Sequence, residues 1–174
     1  MISGGLQEAL EDVFACPVCQ GQLALPDRAA GLNCTSCRRA YPIKDGIPVL
    51  LQNEPLAQEE ERQRRDRLAS GYLRTDAQTI LKVIARHHCL PVMRRHAAEF
   101  RGRFKPSQWL LDIGIGWGWH WLGHGVAAKI LGVDMSLNNL LLAQHLLGQN
   151  GHGVVLVCAN AAALPIRAQA ISGV

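Results

Sequence analysis

Short apolar runs alternate with glycine-rich and helical segments through the last third of the chain. Three of these runs, 109–113, 128–133 and 154–158, have the length and aliphatic content of buried strands. A glycine loop follows the first run, and a helix is predicted to begin at Trp119. A second helix is predicted after the capping residue Ser136. This order predicts an α/β fold built on a βαβαβ unit with parallel strands.

Residues 52–105 have the pattern of exposed helices. Acidic residues stand about four positions before basic ones within 59–67, a spacing that supports a solvated helix. Thr75 and Gln78 have capping-box spacing for a second helix, and Pro91 is placed to open a third. Four apolar residues of the third helix are predicted to face inward: Val92, Met93, Ala97 and Phe100. We interpret this region as a helical connector.

Residues 1–51 are too few to hold a large apolar core, and their cysteines indicate that a bound metal takes its place. Two pairs, Cys16 with Cys19 and Cys34 with Cys37, are separated by fourteen residues that predict a short hairpin. Tetrahedral zinc needs four thiolates, and each tight turn presents two sulfurs to one point. Disulfides are the alternative, but without a secretory leader the thiols should stay reduced. We predict a structural zinc ribbon over residues 1–51.

Composition and charge narrow the classes of function. Hydrophobic residues make up 48% of the 174 positions and charged residues 18%, which disfavours disorder. The chain lacks an uncharged apolar stretch of ~18 residues and a leader pattern, so we expect a cytoplasmic protein with no membrane partner. The net charge of +4 arises in residues 52–105, which carry 12 basic and 7 acidic side chains. This excess permits an RNA partner without indicating one.

The glycine loop after the first predicted strand indicates a nucleoside site. Gly114, Gly116 and Gly118 form a Gly-x-Gly-x-Gly pattern, whereas the dinucleotide fingerprint is Gly-x-Gly-x-x-Gly. Asp112 stands just before the loop, where its carboxylate would repel a pyrophosphate and attract the ammonium of a methionyl tail. These residues favour S-adenosyl-L-methionine as the cofactor and leave a dinucleotide as the open alternative.

The cysteine pairs and the apolar segment that follows them resemble a family of small zinc ribbons. The segment runs from Tyr41 to Pro48 with an Asp45-Gly46 turn, and the resemblance covers residues 12–51. The family includes activator subunits of methyltransferases that act on tRNA and other parts of the translation machinery, together with free-standing bacterial relatives. Its ribbon is a binding module, so the resemblance implies a protein partner and not catalysis.

The chain from Trp109 to Val174 resembles class I S-adenosylmethionine-dependent methyltransferases. Three segments carry the resemblance: 111–118, 132–136 and 160–166. The resemblance implies a Rossmann-like half-sheet over residues 106–174. It also implies that eight residues bind the cofactor: Asp112, Gly114, Gly116, Gly118, Asp134, Met135, Asn160 and Ala161.

The resemblance further implies a role for three of these residues. The family's acid at the position of Asp134 takes both ribose hydroxyls. At Asn160 the family commonly has Asp, and the amide oxygen of Asn160 is expected to accept a hydrogen bond from the adenine amino group. The backbone N–H of Ala161 is expected to reach a ring nitrogen.

Together these observations predict methyl transfer to an unidentified small-molecule or RNA acceptor. Because the family's sheet continues beyond its third strand, we interpret the chain as a fragment and expect the catalytic residues beyond Val174. Two alternatives stay open: a non-catalytic zinc-ribbon module that engages a methyltransferase or RNA, and a dinucleotide-binding remnant.

The aromatic and histidine residues after the glycine loop allow more than one interpretation. Trp117, Trp119 and Trp121 either line the cofactor pocket or pack in the core. His120 and His124 have i, i+4 spacing but no third ligand beside them, so we interpret them as residues of a helix surface.

Overall fold

The computed structural model describes residues 4–26, 31–52, 55–87, 90–122, 128–148 and 153–174. Within these ranges the protein is a mixed α/β structure with one antiparallel and one parallel sheet. A cluster of four cysteines lies beside the antiparallel sheet. Among the described residues, no helix has both the length and the hydrophobicity that crossing a membrane requires.

The N-terminal segment forms one helix and four short strands. They are α1 (Gly4–Asp12), β1 (Leu23–Ala24), β2 (Gly31–Cys34), β3 (Ala40–Lys44) and β4 (Ile47–Pro48). Each strand pairs antiparallel with the next, and the predicted hairpin between the cysteine pairs is confirmed as the β1–β2 pair. Helix α1 was not among the predicted elements, although Leu6, Ala9 and Leu10 form its buried face.

The connector consists of three helices: α2 (Leu56–Ser70), α3 (Ala77–Ala85) and α4 (Leu90–Arg101). The capping-box prediction for α3 is wrong by one residue, because Asp76 is the N-cap and accepts a hydrogen bond from the Thr79 amide at 2.9 Å. The inward-facing prediction for α4 holds for Ala97, which is buried. It is wrong for Val92 and Met93, which are 48% and 41% exposed.

The predicted parallel unit is present as β5 (Trp109–Ile113), β6 (Lys129–Asp134), helix α5 (Leu137–Gly148) and β7 (Val154–Cys158). The strands are parallel and lie in the order β5-β6-β7. Ser136 caps α5 by accepting from the Asn139 amide at 3.2 Å. At the position of the other predicted helix the structure has one 3-10 turn, Trp119–Trp121, and residues 123–127 lie outside the described ranges.

Both edges of the parallel sheet carry a further bridged segment. Leu110 of β5 bridges Gly173 in parallel. On the opposite edge, Val49 bridges Cys158 of β7 in parallel, so the end of the ribbon extends this sheet. Ribbon and sheet also share one core, in which Phe14 packs together with the buried residues of β5, β6 and β7.

Candidate functional site

The two cysteine pairs converge on one point, as their spacing predicts. The sulfurs of Cys16, Cys19, Cys34 and Cys37 all lie within 4.8 Å of one another. Cys16 and Cys37 are 3.7 Å apart and Cys19 and Cys34 are 3.5 Å apart. Thiolates bound tetrahedrally at ~2.3 Å are separated by about 3.8 Å, so the cluster has the size of a zinc site.

Each cysteine pair lies in a turn, and the two turns share one feature of backbone conformation. The residue after the second cysteine has a positive φ in both turns, 56° at Gln20 and 61° at Arg38. In the second turn the Cys37 amide donates to Cys34 Sγ at 3.4 Å. This backbone hydrogen bond lowers the pKa of the Cys34 thiol to about 6, which favours the thiolate that a metal requires.

Tyr41 connects the cysteine cluster to the ribbon core. Its ring is buried and its hydroxyl lies 3.2 Å from Cys16 Sγ, close enough to donate to a thiolate. Burial, together with the hydrogen bond to Cys16, raises the pKa of the Tyr41 hydroxyl, so it stays protonated and able to donate at neutral pH. Hydrogen bonds of this kind orient metal ligands.

A second site is a cavity of about 410 Å³ at the carboxyl ends of the parallel strands. Ligands of open α/β sheets bind at this end. Six of the eight residues predicted to hold a cofactor line the cavity: Gly114, Gly116, Asp134, Met135, Asn160 and Ala161. The three tryptophans after the loop are not among the residues that line it.

The side chain of Asp134, the last residue of β6, holds the glycine loop against that strand. Its Oδ2 accepts from the Gly116 amide at 3.0 Å, and its Oδ1 accepts from the Ser136 amide at 2.8 Å. Gly114 and Gly116 adopt φ values of 77° and 56°, which glycine takes at little cost. The carboxylate is only 7% exposed, so it organises the cavity floor as well as bordering it.

Asn160 is also held by protein contacts. Its Oδ1 accepts from the Ala162 amide at 2.9 Å, and its amide nitrogen donates to Gln58 of α2 at 2.7 Å. The oxygen that is expected to accept a hydrogen bond from the adenine amino group therefore already accepts one from the protein backbone.

Asp112 and Gly118 are not among the residues that line this cavity, and their predicted contact with the cofactor stays a prediction. Asp112 Oδ2 accepts from Trp121 Nε1 at 2.6 Å and lies 2.7 Å from His120 Nε2. Asp112 borders a separate cavity with His120, so the interpretation of His120 as a helix-surface residue is wrong. A Cβ on Gly118 would lie 2.6 Å from Leu147 Cδ1, so this glycine permits close packing against α5. His124 lies outside the described residues.

Helix α2 supplies part of the cavity wall, which the sequence interpretation missed. Glu61 and Arg65 line the cavity. Glu61 is paired with Arg64 at 2.7 Å and with Arg65 at 2.7 Å, and these hydrogen bonds lower the pKa of its carboxyl to about 2. Asp66 fixes the helix to the start of α5 by accepting from Ser136 Oγ at 2.6 Å. The acids and arginines of α2 had been interpreted only as a solvated face.

Comparison with known proteins identifies the N-terminal region. Residues 8–46 match the family model described as "Trm112p-like protein". A UPF0434 protein of Shewanella pealeana is 53% identical over 51 residues, which are 28% of this chain and 90% of that protein. A UPF0434 protein of Edwardsiella ictaluri is 44% identical over 57 residues, 32% of this chain and 98% of that protein. The chain belongs, through its N-terminal ribbon, to this Trm112p-like family.

A comparison with solved structures gives a weaker match. The X-ray structure of YjhP from E. coli aligns with 43% of this chain and 32% of its own, at 23% identity and a TM-score of 0.32. This chain therefore spans about a third of that one. An overlap at this TM-score carries no argument about function.

Proposed function

We propose that this chain binds S-adenosylmethionine in the cavity at the ends of β5, β6 and β7, and that its zinc ribbon is a non-catalytic module that supports this sheet. The hydrogen bond from the Gly116 amide to Asp134 carries the proposal, because it holds the glycine loop against the carboxyl end of β6, where both residues line the cavity. The order β5-β6-β7 is also that of the first three strands of a Rossmann-like sheet.

The charges around the cavity support a sulfonium cofactor over a dinucleotide. The wall contains the carboxylates of Asp134 and Glu61 and the guanidinium of Arg65, which is paired with Glu61. A dinucleotide would bring a doubly charged pyrophosphate against these acids. S-adenosylmethionine brings a sulfonium, an ammonium and one carboxylate, a mixture that suits a wall of mixed sign.

The sheet-edge contact supports a scaffolding role for the ribbon. Val49 bridges Cys158, and the Leu50 amide donates to the Cys158 carbonyl at 2.7 Å. A ribbon of the Trm112p-like family, which resembles methyltransferase activators, thus lies against a parallel sheet of its own chain. We infer that the ribbon acts in cis, covering the edge strand and holding β7, whose end borders the cavity.

The four cysteines fit a structural metal site. Cys16, Cys19, Cys34 and Cys37 would hold zinc with four thiolates and no open position, so the ion would supply folding energy and not Lewis-acid chemistry. The ribbon strands, of two to five residues, are too short to be stable alone. Zinc binding and ribbon folding are therefore expected to be one process.

Methyl transfer is the reaction class that follows from such a cofactor, with a small-molecule or RNA acceptor. The described residues would contribute binding and alignment, and alignment alone supplies much of the rate of such displacements. A second candidate is a non-catalytic module that engages a separate methyltransferase. It is favoured by the two UPF0434 relatives, whose similarity covers 51 and 57 residues of this chain.

Calorimetric titration of the zinc-loaded chain with S-adenosylhomocysteine tests the proposal. Saturable binding is expected, and Asp134→Ala should weaken it at least ~10-fold because the glycine loop loses its acceptor. Near-UV circular dichroism and zinc content establish that the variant is folded. Binding of NAD in place of S-adenosylhomocysteine would favour a dinucleotide site, and binding of neither would favour the second candidate.

A matched pair of substitutions in α2 tests the contribution of the connector. Glu61 lines the cavity, whereas its neighbour Glu60 is exposed on the same helix. Glu61→Gln is expected to weaken the binding of S-adenosylhomocysteine by about threefold to tenfold, and Glu60→Gln is expected to leave the affinity unchanged. Equal affinities for the two variants would remove α2 from the site while leaving the proposal for the sheet in place.

A further inference from the structure

A second cavity of about 410 Å³ lies between α2, α3 and the glycine loop. Its walls are mainly apolar and aromatic, formed by Leu68, Val83, Ile84, Trp117 and Trp119. Leu68 and Val83 are 60% and 45% exposed, so this wall presents apolar surface to solvent. A volume of this size is within the range of small-molecule sites, ~300–1,000 Å³.

The indole rings are held in place by neighbours. Trp117 Nε1 donates to Asn139 Oδ1 at 3.0 Å, and its ring lies 4.8 Å from the ring of Tyr72. The ring of Trp119 lies 5.7 Å from the imidazole of His87. Because these contacts fix both indoles, the cavity offers preformed aromatic surfaces, which favour flat ring systems.

This cavity adjoins the proposed cofactor site. Gly116 and Arg65 line both cavities, so a molecule in one would lie beside a molecule in the other. Among the residues that line the second cavity, Arg65 is the single Lys, Arg, Asp or Glu, and its guanidinium is paired with Glu61 at 2.7 Å. Nucleic-acid channels instead combine stacking rings with a row of cations that follow the phosphates.

We propose that the cavity walled by Leu68, Val83, Trp117 and Trp119 binds an uncharged, ring-bearing small molecule as the methyl acceptor. The inference rests on the proposed S-adenosylmethionine site next to it. For a hydroxyl acceptor, its oxygen forms the new bond to the methyl carbon as the carbon–sulfur bond breaks. The hydroxyl proton passes to water and S-adenosylhomocysteine is released.

Two exposed leucines of α2 provide a matched test. Leu68 lines the cavity, whereas Leu56, 75% exposed, lies at the other end of the helix and outside it. We would titrate 2-naphthol into the zinc-loaded chain, with and without S-adenosylhomocysteine. Saturable binding is expected below about 1 mM in the wild type and in Leu56→Gln. Leu68→Gln should weaken it about fivefold through lost apolar contact.

The outcomes separate this inference from the cofactor proposal. No saturable naphthol binding to the wild type, or equal affinities for Leu68→Gln and Leu56→Gln, would overturn the acceptor site even where S-adenosylhomocysteine binds. A uridine decamer that binds the wild type and is weakened by Leu68→Gln would overturn it in favour of single-stranded RNA. If S-adenosylhomocysteine does not bind while naphthol binds and is weakened by Leu68→Gln, both the cofactor proposal and the acceptor role are overturned.

Discussion

The ribbon and the parallel sheet achieve order by different means. The ribbon has strands of two to five residues and a cluster of four sulfurs, whereas the sheet has strands of five and six residues that are largely buried. Yet the apolar residues of both regions pack into one core. A metal site can therefore fix the local shape of a segment that relies on a neighbouring sheet for the burial of its apolar residues.

Loss of a zinc ligand is expected to have the largest effect on this arrangement. Cys34→Ser should abolish stoichiometric zinc and destabilise the chain by more than about 5 kcal/mol, because a structural site is part of the fold. Zinc content and thermal unfolding measure the effect. Cys158→Ala is the control, since Cys158 is a buried free cysteine outside the cluster. One zinc per chain and an unchanged melting temperature in Cys34→Ser would contradict the account.

The shared core is probed by a leucine at the junction. Leu50 is 1% exposed and belongs to the cluster that joins ribbon and sheet. Leu50→Ala is expected to lower the free energy of unfolding by about 2–5 kcal/mol. The exposed Leu56→Ala should change it by less than about 0.5 kcal/mol. Equal effects in chemical denaturation would show that the two regions fold without each other.

Substitutions at two glycines of the loop distinguish the cost of backbone strain from the cost of disturbed packing. Gly114 and Gly118 both have positive φ, but space is open beside Gly114, while a Cβ on Gly118 meets the buried Leu147. Gly114→Ala should cost about 1–2 kcal/mol through the backbone alone. Gly118→Ala should cost roughly 1–3 kcal/mol more, because Leu147 must move. A lower melting temperature for Gly114→Ala than for Gly118→Ala would contradict the packing role of Gly118.

The smallest expected effect lies in the connector, outside both regions. Asp76 caps α3, and its hydrogen bond with Thr79 lowers the pKa of its carboxyl. Because the folded pKa lies below the unfolded value of about 3.9, this stability is present above pH 4 and is lost as the pH falls through the folded pKa.

Asp76→Ala is therefore expected to reduce the stability of the chain at pH 7, because α3 loses its N-cap. The cost should shrink in acid, where the wild type loses the same interaction. Denaturant unfolding of both proteins at pH 7 and at pH 3 measures the difference. A cost that stays constant with pH would contradict the capping role.

The sequence predicted the elements that depend on local pattern. The cysteine spacing predicted that the four sulfurs converge, and the apolar runs predicted β5, β6 and β7, because both features depend on residues that are close together in the sequence. The predicted division into residues 1–51, 52–105 and 106–174 stays a prediction.

Contacts between distant segments escaped the sequence interpretation. The predicted cofactor contact of Asp112 stays a prediction, but the contacts of its carboxylate with His120 and Trp121 were not foreseen. Glu61 was interpreted as part of a solvated face, and only the packing of α2 on α5 brings it to the cavity. Such placements depend on how helices dock on the sheet, which single-sequence patterns do not encode.

The central claim is that the ribbon supports a cofactor site in the sheet, and calorimetry with S-adenosylhomocysteine before and after zinc removal tests it most directly. The account predicts one-site binding, with a dissociation constant on the order of 1–100 μM, by the zinc-loaded chain. It predicts that a chelator which strips the zinc abolishes this binding, and that restored zinc recovers it. A folded, zinc-loaded chain that binds none, or an affinity that survives zinc removal, would contradict the claim.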